Sequence, residues 1–177
     1  MSTAIFTYRR TDRFVKNTYT KKDSSGNPLI KDGKPVTAVA HGLVGELWVH
    51  GLQFETIERM DGYMHMKGGQ TYHNSAIYWH DKYKSFVINP ALGKEQEKTK
   101  GNILMHPGSQ PSHLQGCVAV GFFNANGKLE GSKYCFDVLR EQAGGAGVSK
   151  DQFVTLTLVV EGNMPALSAC KSWVYSA

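Results

Sequence analysis

Residues 101–121, GNILMHPGSQPSHLQGCVAVG, carry the chain's clearest chemical pairing. An apolar run ends in His106, a polar loop follows, and Gly116-Cys117 opens a second apolar run. Read as two short strands bounded by Gly, Pro and Ser, Ile103 to His106 and Val118 to Val120 allow the loop to fold His106 back onto Cys117. A thiol beside an imidazole suits covalent acyl transfer: the imidazole takes the proton, the thiolate attacks, and the imidazolium protonates the leaving amine. Gly116 has no side chain to block a substrate, and it frees the Cys117 amide to turn toward a developing oxyanion. Pro107 removes one backbone donor, leaving a loop carbonyl to accept Nδ1-H of His106 and present Nε2 to the thiol. His113 is closer to Cys117 in sequence, but its Pro-Ser-His turn predicts an exposed ring. The competing reading is structural, because a cysteine that opens an apolar run commonly packs as a small hydrophobe.

The order apolar-apolar-apolar-His-Pro-Gly, polar loop, Gly-Cys-apolar resembles the core of the L,D-transpeptidase family of peptidoglycan enzymes. Its short His-to-Cys spacing is similar to that of compact relatives, including toxins delivered by type VI secretion systems and small phage or bacterial domains. The resemblance implies that Cys117 is the nucleophile, His106 the general base and Gly116 part of the oxyanion environment. Where the family has Ser or Thr and then a polar residue before Gly-Cys, this chain has Leu114 and Gln115, which leaves Ser112 and His113 as candidates for an accessory polar group. The likeness extends weakly upstream to GELWVHGLQFETIE and downstream to about Leu139. It implies a mainly β fold, an antiparallel β-sandwich or partly closed barrel with one substantial α-helix. The implied reaction is L,D-transpeptidase or L,D-carboxypeptidase chemistry on peptidoglycan stem tetrapeptides, without a cofactor.

Positioning these groups requires a sheet, and the chain supplies one. Ala4 to Tyr8 and Phe14 to Thr20 are β-prone pieces, followed by turn formers through residues 21–35. Leu43 to His50 and Gln53 to Arg59 read as strands around His50-Gly51, the second with a period of two. Glu58 near its end either faces the cleft, as a similar Glu does in the small relatives, or is a surface carboxylate. Residues 60–83 are rich in aromatic residues and histidine; Tyr63 and Tyr72 are candidates to line a substrate groove, against the alternative of a half-buried sheet. Gly68-Gly69 marks a turn that could sit over that groove. Ser85 to Asn89 is a strand stopped by Pro90, and residues 91–100 form a charged loop or short helix. After an Asn-Gly turn at residues 124–127, Ser132 is the expected N-cap of a helix through Ala143, with Tyr134, Cys135, Val138 and Leu139 on its apolar side and Gly144-Gly145 as the stop. Val154 to Val160 is a clear strand and Ser172 to Tyr175 a last edge.

The length of 177 residues, 41% of them hydrophobic, fits one domain spanning 1–177. An excess of 20 Lys and Arg over 15 Asp and Glu gives a net charge of +5, compatible with an anionic polymer. The positive charges are scattered, without the basic helix or aromatic sheet motif of a nucleic-acid binder, so no nucleic-acid partner is expected. Three cysteines, Cys117, Cys135 and Cys170, are an odd number at wide spacing, so at least one thiol is free, while a Cys135–Cys170 pair remains open. No metal-ligand spacing is present, and no metal is expected. The N-terminus lacks the apolar core of a signal peptide and no run is long enough to insert into a membrane. The expectation is a chain made in the cytoplasm and acting in the periplasm or cell wall of a target cell. Such a setting implies a secretion-apparatus component, an immunity protein and peptidoglycan stem peptides as partners. Two other readings stand beside it: a non-catalytic wall-binding or particle-assembly module, and a cysteine amidase or protease of another fold.

Overall fold

A computed structural model describes residues 2–92 and 103–175. The expected charged segment at 91–100 therefore lies, from residue 93 on, outside the described residues. The described residues form eleven strands and one α-helix: β1 (Ile5–Thr20), β2 (Ile30–Lys31), β3 (Lys34–Pro35), β4 (Thr37–Val49), β5 (Leu52–Arg59), β6 (Thr71–His80), β7 (Ser85–Asn89), β8 (Val118–Phe123), β9 (Leu129–Glu130), α1 (Ser132–Arg140), β10 (Val154–Glu161) and β11 (Val174–Tyr175). The main sheet runs β7-β6-β10-β1-β4-β5-β8-β9, with β11 also on β1, while β2 and β3 form a separate small hairpin. The protein is mainly β, as expected, with one helix. Its sheet is mixed rather than wholly antiparallel, because β1 pairs in parallel with both β10 and β11.

The ladders do not close into a barrel. Among the described residues, the two ends of the curled sheet are joined through the segment at Leu104 to His106, where Met105 exchanges backbone hydrogen bonds with Ile88 of β7 (2.8 and 2.9 Å). On its other side, His106 N donates to Val118 O (2.9 Å) and Val118 N to Leu104 O (3.0 Å). The segment that ends in His106 is thus bonded directly to the strand that follows Cys117.

Side-chain alternation divides the interior in two. Tyr8, Leu47, Phe54, Ile88, Met105 and Val118 belong to one cluster, closed by Cys135, Phe136 and Leu139 of α1. Their strand neighbours Val44, Ile57, Val87, Leu104, Cys117 and Ala119 point to the opposite side, where Leu114 of the loop packs on them. The helix and the loop therefore cover opposite faces of one sheet.

Local details depart from the sequence reading at several places. The two N-terminal pieces are one strand with a register shift between Arg10 and Phe14, so Thr11 to Arg13 form a bulge, which the polar run had disguised as a break. Gly131, with φ of 64°, is the residue that precedes α1. Ser132 Oγ does not cap the helix; it donates to Val120 O (2.5 Å) and accepts from Gly108 N (3.2 Å), tying the helix start to β8 and the loop. Tyr134 is 66% exposed instead of lying on the apolar face. Gly68 packs against Gly162, where a Cβ would come within 2.4 Å of the Gly162 carbonyl oxygen, so that turn contacts the end of β10. All three cysteines are free, which removes the Cys135–Cys170 pairing. Among the described residues, no helix is long and apolar enough to cross a membrane.

Candidate active site

The parallel bridge between Met105 and Val118 sets the candidate pair. Side chains alternate along both segments, so the residues flanking the bridge, Leu104 and His106 on one segment and Cys117 and Ala119 on the other, share a face. His106 and Cys117 are diagonal neighbours across it, a separation of about 7–8 Å between backbones that long side chains can span. Both are buried, at 2% and 7% exposure. His106 Nδ1 lies 2.9 Å from the Pro107 carbonyl oxygen. That bond assigns the proton to Nδ1 and leaves Nε2 as the basic nitrogen. No hydrogen bond joins the thiol to the imidazole in this resting structure among the described residues.

Tyr83 lies on the imidazole of His106, with ring centroids 4.2 Å apart and planes at 11°, and His80 packs on Tyr83 at 5.0 Å. Burial and then the neighbouring Cys117 charge raise the Tyr83 phenol above its ordinary range. Burial also dominates at the pair itself. It pushes the Cys117 thiol up, only partly offset by a backbone hydrogen bond at Leu104 and the Lys82 charge. It pushes His106 down, partly offset by the Pro107 bond. Both shifts favour a neutral thiol and a neutral imidazole near neutral pH, an arrangement for general-base activation during attack rather than for a standing thiolate.

The loop is fixed by contacts at each end. Pro111 packs on Gly42 of β4, where a Cβ would come within 2.8 Å of the proline ring. Ser112 exchanges two bonds with Asn17, accepting from Nδ2 (2.7 Å) and donating its amide to Oδ1 (3.0 Å). Gly116 has φ of 80°, and a Cβ there would lie 2.8 Å from Cβ of Tyr63. Both conformation and space therefore demand glycine just before Cys117. The Cys117 carbonyl accepts from Arg59 N at 3.3 Å, and its own amide has no acceptor among the described residues.

The sequence-predicted residues separate into those brought together and those set apart. Cys117, His106, Gly116 and Tyr63 converge. Ser112 is a loop anchor bound to Asn17. His113 is exposed and turned toward Ser109 and Gln110, with Nδ1 3.2 Å from Ser109 Oγ and Nε2 3.2 Å from Gln110 Nε2. Glu58 is neither a surface residue nor a cleft residue: it pairs with Val118 and projects to the face opposite Cys117. There it is fully buried, accepting from Tyr8 OH (2.6 Å), Arg10 Nε (2.8 Å) and Arg10 Nη2 (3.0 Å), with His65 Nδ1 3.3 Å away. Tyr72 packs on the helix-side cluster, and its hydroxyl accepts from Lys67 N at 3.1 Å. It stands at the start of β6, roughly 25 Å along the strand from the His80 end, and is not part of the site. Among the described residues, no cluster of His, Cys, Asp and Glu could hold a metal ion.

Tyr83 belongs to the aromatic run that could line a groove, and the structure places it in the turn between β6 and β7, on the imidazole of His106. One residue at the site escaped the sequence reading. Arg59 was read only as the end of a strand. A surface cavity of about 340 Å³ lies elsewhere, at the β1 bulge, lined by Phe14, Val44, Glu55 and Phe123. Comparison of the chain with protein-family models, curated proteins and solved structures finds no match.

Proposed function

We propose that the protein is a cysteine acyltransferase of L,D-transpeptidase type acting on peptidoglycan stem tetrapeptides. The observation that carries this reading is the placement of His106 and Cys117 on one buried face through the Met105–Val118 bridge, with His106 Nδ1 taken by Pro107. In the proposed reaction Nε2 of His106 takes the thiol proton as Cys117 Sγ attacks the carbonyl of diaminopimelate. The Cys117 amide, presented by the Gly116 turn, faces the developing oxyanion. Collapse breaks the bond to D-Ala, whose nitrogen receives the proton held on His106, and leaves a thioester. Water resolves it to the shortened stem, a D-amino acid gives exchange, and the amine of a second stem gives a cross-link.

The resemblance carried by the His-Pro-Gly and Gly-Cys motifs also supports the biological setting of an antibacterial effector delivered to the cell wall of a target cell, with an immunity protein guarding the producer. Incubating the protein with purified muropeptides and analysing them by mass spectrometry tests the activity. Loss of one D-Ala from tetrapeptide stems, or its replacement, is the expected result; unchanged stems overturn it.

A second reading, a non-catalytic wall-binding module on the same scaffold, is favoured by the 7% exposure of Cys117 and its raised pKa. The two separate by thiol reactivity. A binding module has a Cys117 that alkylates no faster than an ordinary buried cysteine, even in the presence of a stem peptide.

A further inference from the structure

We infer that Arg59, framed by Tyr19 and Tyr63, forms an anion slot beside Cys117 that receives a carboxylate of the acyl donor and makes the thiol selective for anionic reactants. The inference rests on Cys117 being the nucleophile.

Placement comes first. Glu58 pairs with Val118, so Arg59 stands opposite Cys117 one step further along the two strands, and their backbones are bonded at 3.3 Å. Opposed residues of an antiparallel pair share a face, so the Arg59 side chain rises on the Cys117 side. It crosses the tyrosine rings, with its guanidinium carbon 5.7 Å from the centroid of Tyr19 and 5.4 Å from that of Tyr63. Tyr63 is also the residue that fills the space where Gly116 lacks a Cβ. Arginine, tyrosine, glycine and cysteine are therefore contiguous.

The donor count then points to a ligand. A guanidinium carries five N–H donors. Arg59 Nε donates to Asp61 Oδ2 (2.5 Å), and Nη1 donates to the carbonyls of Pro111 (3.1 Å) and Leu114 (3.0 Å). Nη2 has no protein partner among the described residues and is not one of the buried atoms left without a partner, so this nitrogen is where a side chain only 7% exposed meets solvent. The contacts that fix the loop use Nη1 alone, so they leave the second nitrogen without a role. Asp61 does not monopolise the charge, since Oδ1 contacts His41 Nδ1 (2.5 Å) and Oδ2 also accepts from His41 N (2.8 Å). A buried guanidinium between two aromatic faces, with a free pair of N–H donors, suits a carboxylate oxygen.

The test compares alkylation by iodoacetate and by iodoacetamide, which differ in charge at similar size, with peptide mass spectrometry reading Cys117 and the more exposed Cys170 in the same chain. The ratio of iodoacetate to iodoacetamide rates at Cys117 should exceed that at Cys170 by about tenfold at low salt, as expected for local concentration by a charged cleft. Arg59→Gln should bring the two ratios together, and Arg59→Lys should keep part of the difference. Equal ratios at Cys117 and Cys170 in the unaltered protein, or a Cys117 preference that Arg59→Gln leaves unchanged, overturns the slot. Should Arg59→Gln loosen the fold, seen as alkylation of the buried Cys135, Arg59→Lys and Lys82→Gln decide, because the Lys82 charge also reaches Cys117 and the slot requires a salt-sensitive anion preference that Lys82→Gln leaves in place; a preference that Lys82→Gln abolishes overturns the slot. A Cys117 slower than Cys170 toward both reagents, with and without stem peptide, counts against the nucleophile itself; a reactive Cys117 without anion preference counts against the slot alone.

Discussion

Replacing Glu58 by Gln removes the one carboxylate that faces the buried Arg10 guanidinium, on the side of the sheet away from Cys117. Glu58 is 0% exposed and Arg10 is 7% exposed, and three donors, Tyr8 OH, Arg10 Nε and Arg10 Nη2, converge on the carboxylate at 2.6 to 3.0 Å. Burial pushes the Glu58 carboxyl up, but the close approach of His65 and the bonds from Arg10 and Tyr8 outweigh it and hold the group below its ordinary value. Gln keeps the shape and one acceptor oxygen while turning an NH2 toward Arg10. Breaking a buried pair by neutralising one partner costs about 3–5 kcal/mol, because the remaining charge is left without compensation. With a urea slope of about 2 kcal/mol/M, the midpoint should fall by roughly 1.5–2.5 M. Urea unfolding followed by fluorescence reads this directly. The double variant Glu58→Leu/Arg10→Met should recover much of the loss, since removing both charges restores an apolar interior. A loss below about 1 kcal/mol for Glu58→Gln would refute the reasoning, as would a double variant less stable than the single one.

Three further outcomes follow from the site. Gly116→Ala should destabilise by at least about 1–2 kcal/mol from its left-handed backbone alone, with more from the 2.8 Å approach to Tyr63, and a stability within about 0.5 kcal/mol of the parent in urea unfolding would contradict it. The burial-driven shifts set a pH window: His106 is lowered from 6.5, so its contribution is present above 6.5 and is lost as pH falls through the folded value, while Cys117 is raised from 9.0, so its contribution is present below 9.0 and is lost as pH rises through the folded value. Cys135, pushed up to about 11, shares the alkaline arm, and urea midpoints across pH should lose part of the acid arm in His106→Phe and part of the alkaline arm in Cys117→Ala. The same pair predicts that Cys117 alkylation slows steadily as pH falls from 8 to 5; a rate that holds constant to pH 5 would reveal a standing thiolate instead.

Much of the sheet was legible because its strands carry the alternation that a buried face imposes. Gln53 to Arg59 and Val154 to Val160 match β5 and β10 almost to the residue, and the pairing of the His106 segment with the Cys117 strand followed from two apolar runs joined by a Pro and Gly loop. The parallel pairing of β1 with β10 was not legible, since the partners are separated by most of the chain and nothing local encodes their direction. Glu58 misled for a related reason. A carboxylate in a strand reads as exposed unless its cation can be located, and Arg10 lies 48 residues away, reachable only once β1, β4 and β5 are stacked. Arg59 was invisible as a site residue because it meets Cys117 only through the pairing of β5 with β8, and the aromatic run that holds Tyr83 did not say which of its rings would lie on His106.

The central claim, that Cys117 attacks with His106 as its base, is tested most directly by steady-state release of D-Ala from tetrapeptide stems. The comparison sets the unaltered protein beside Cys117→Ala, His106→Ala and His113→Ala, each shown to be folded by circular dichroism. The account predicts no release by Cys117→Ala, a loss of about two to four orders of magnitude for His106→Ala, as expected for a missing general base, and a far smaller loss for the exposed His113→Ala. Full release by Cys117→Ala, or near-parental turnover by a folded His106→Ala, would contradict it.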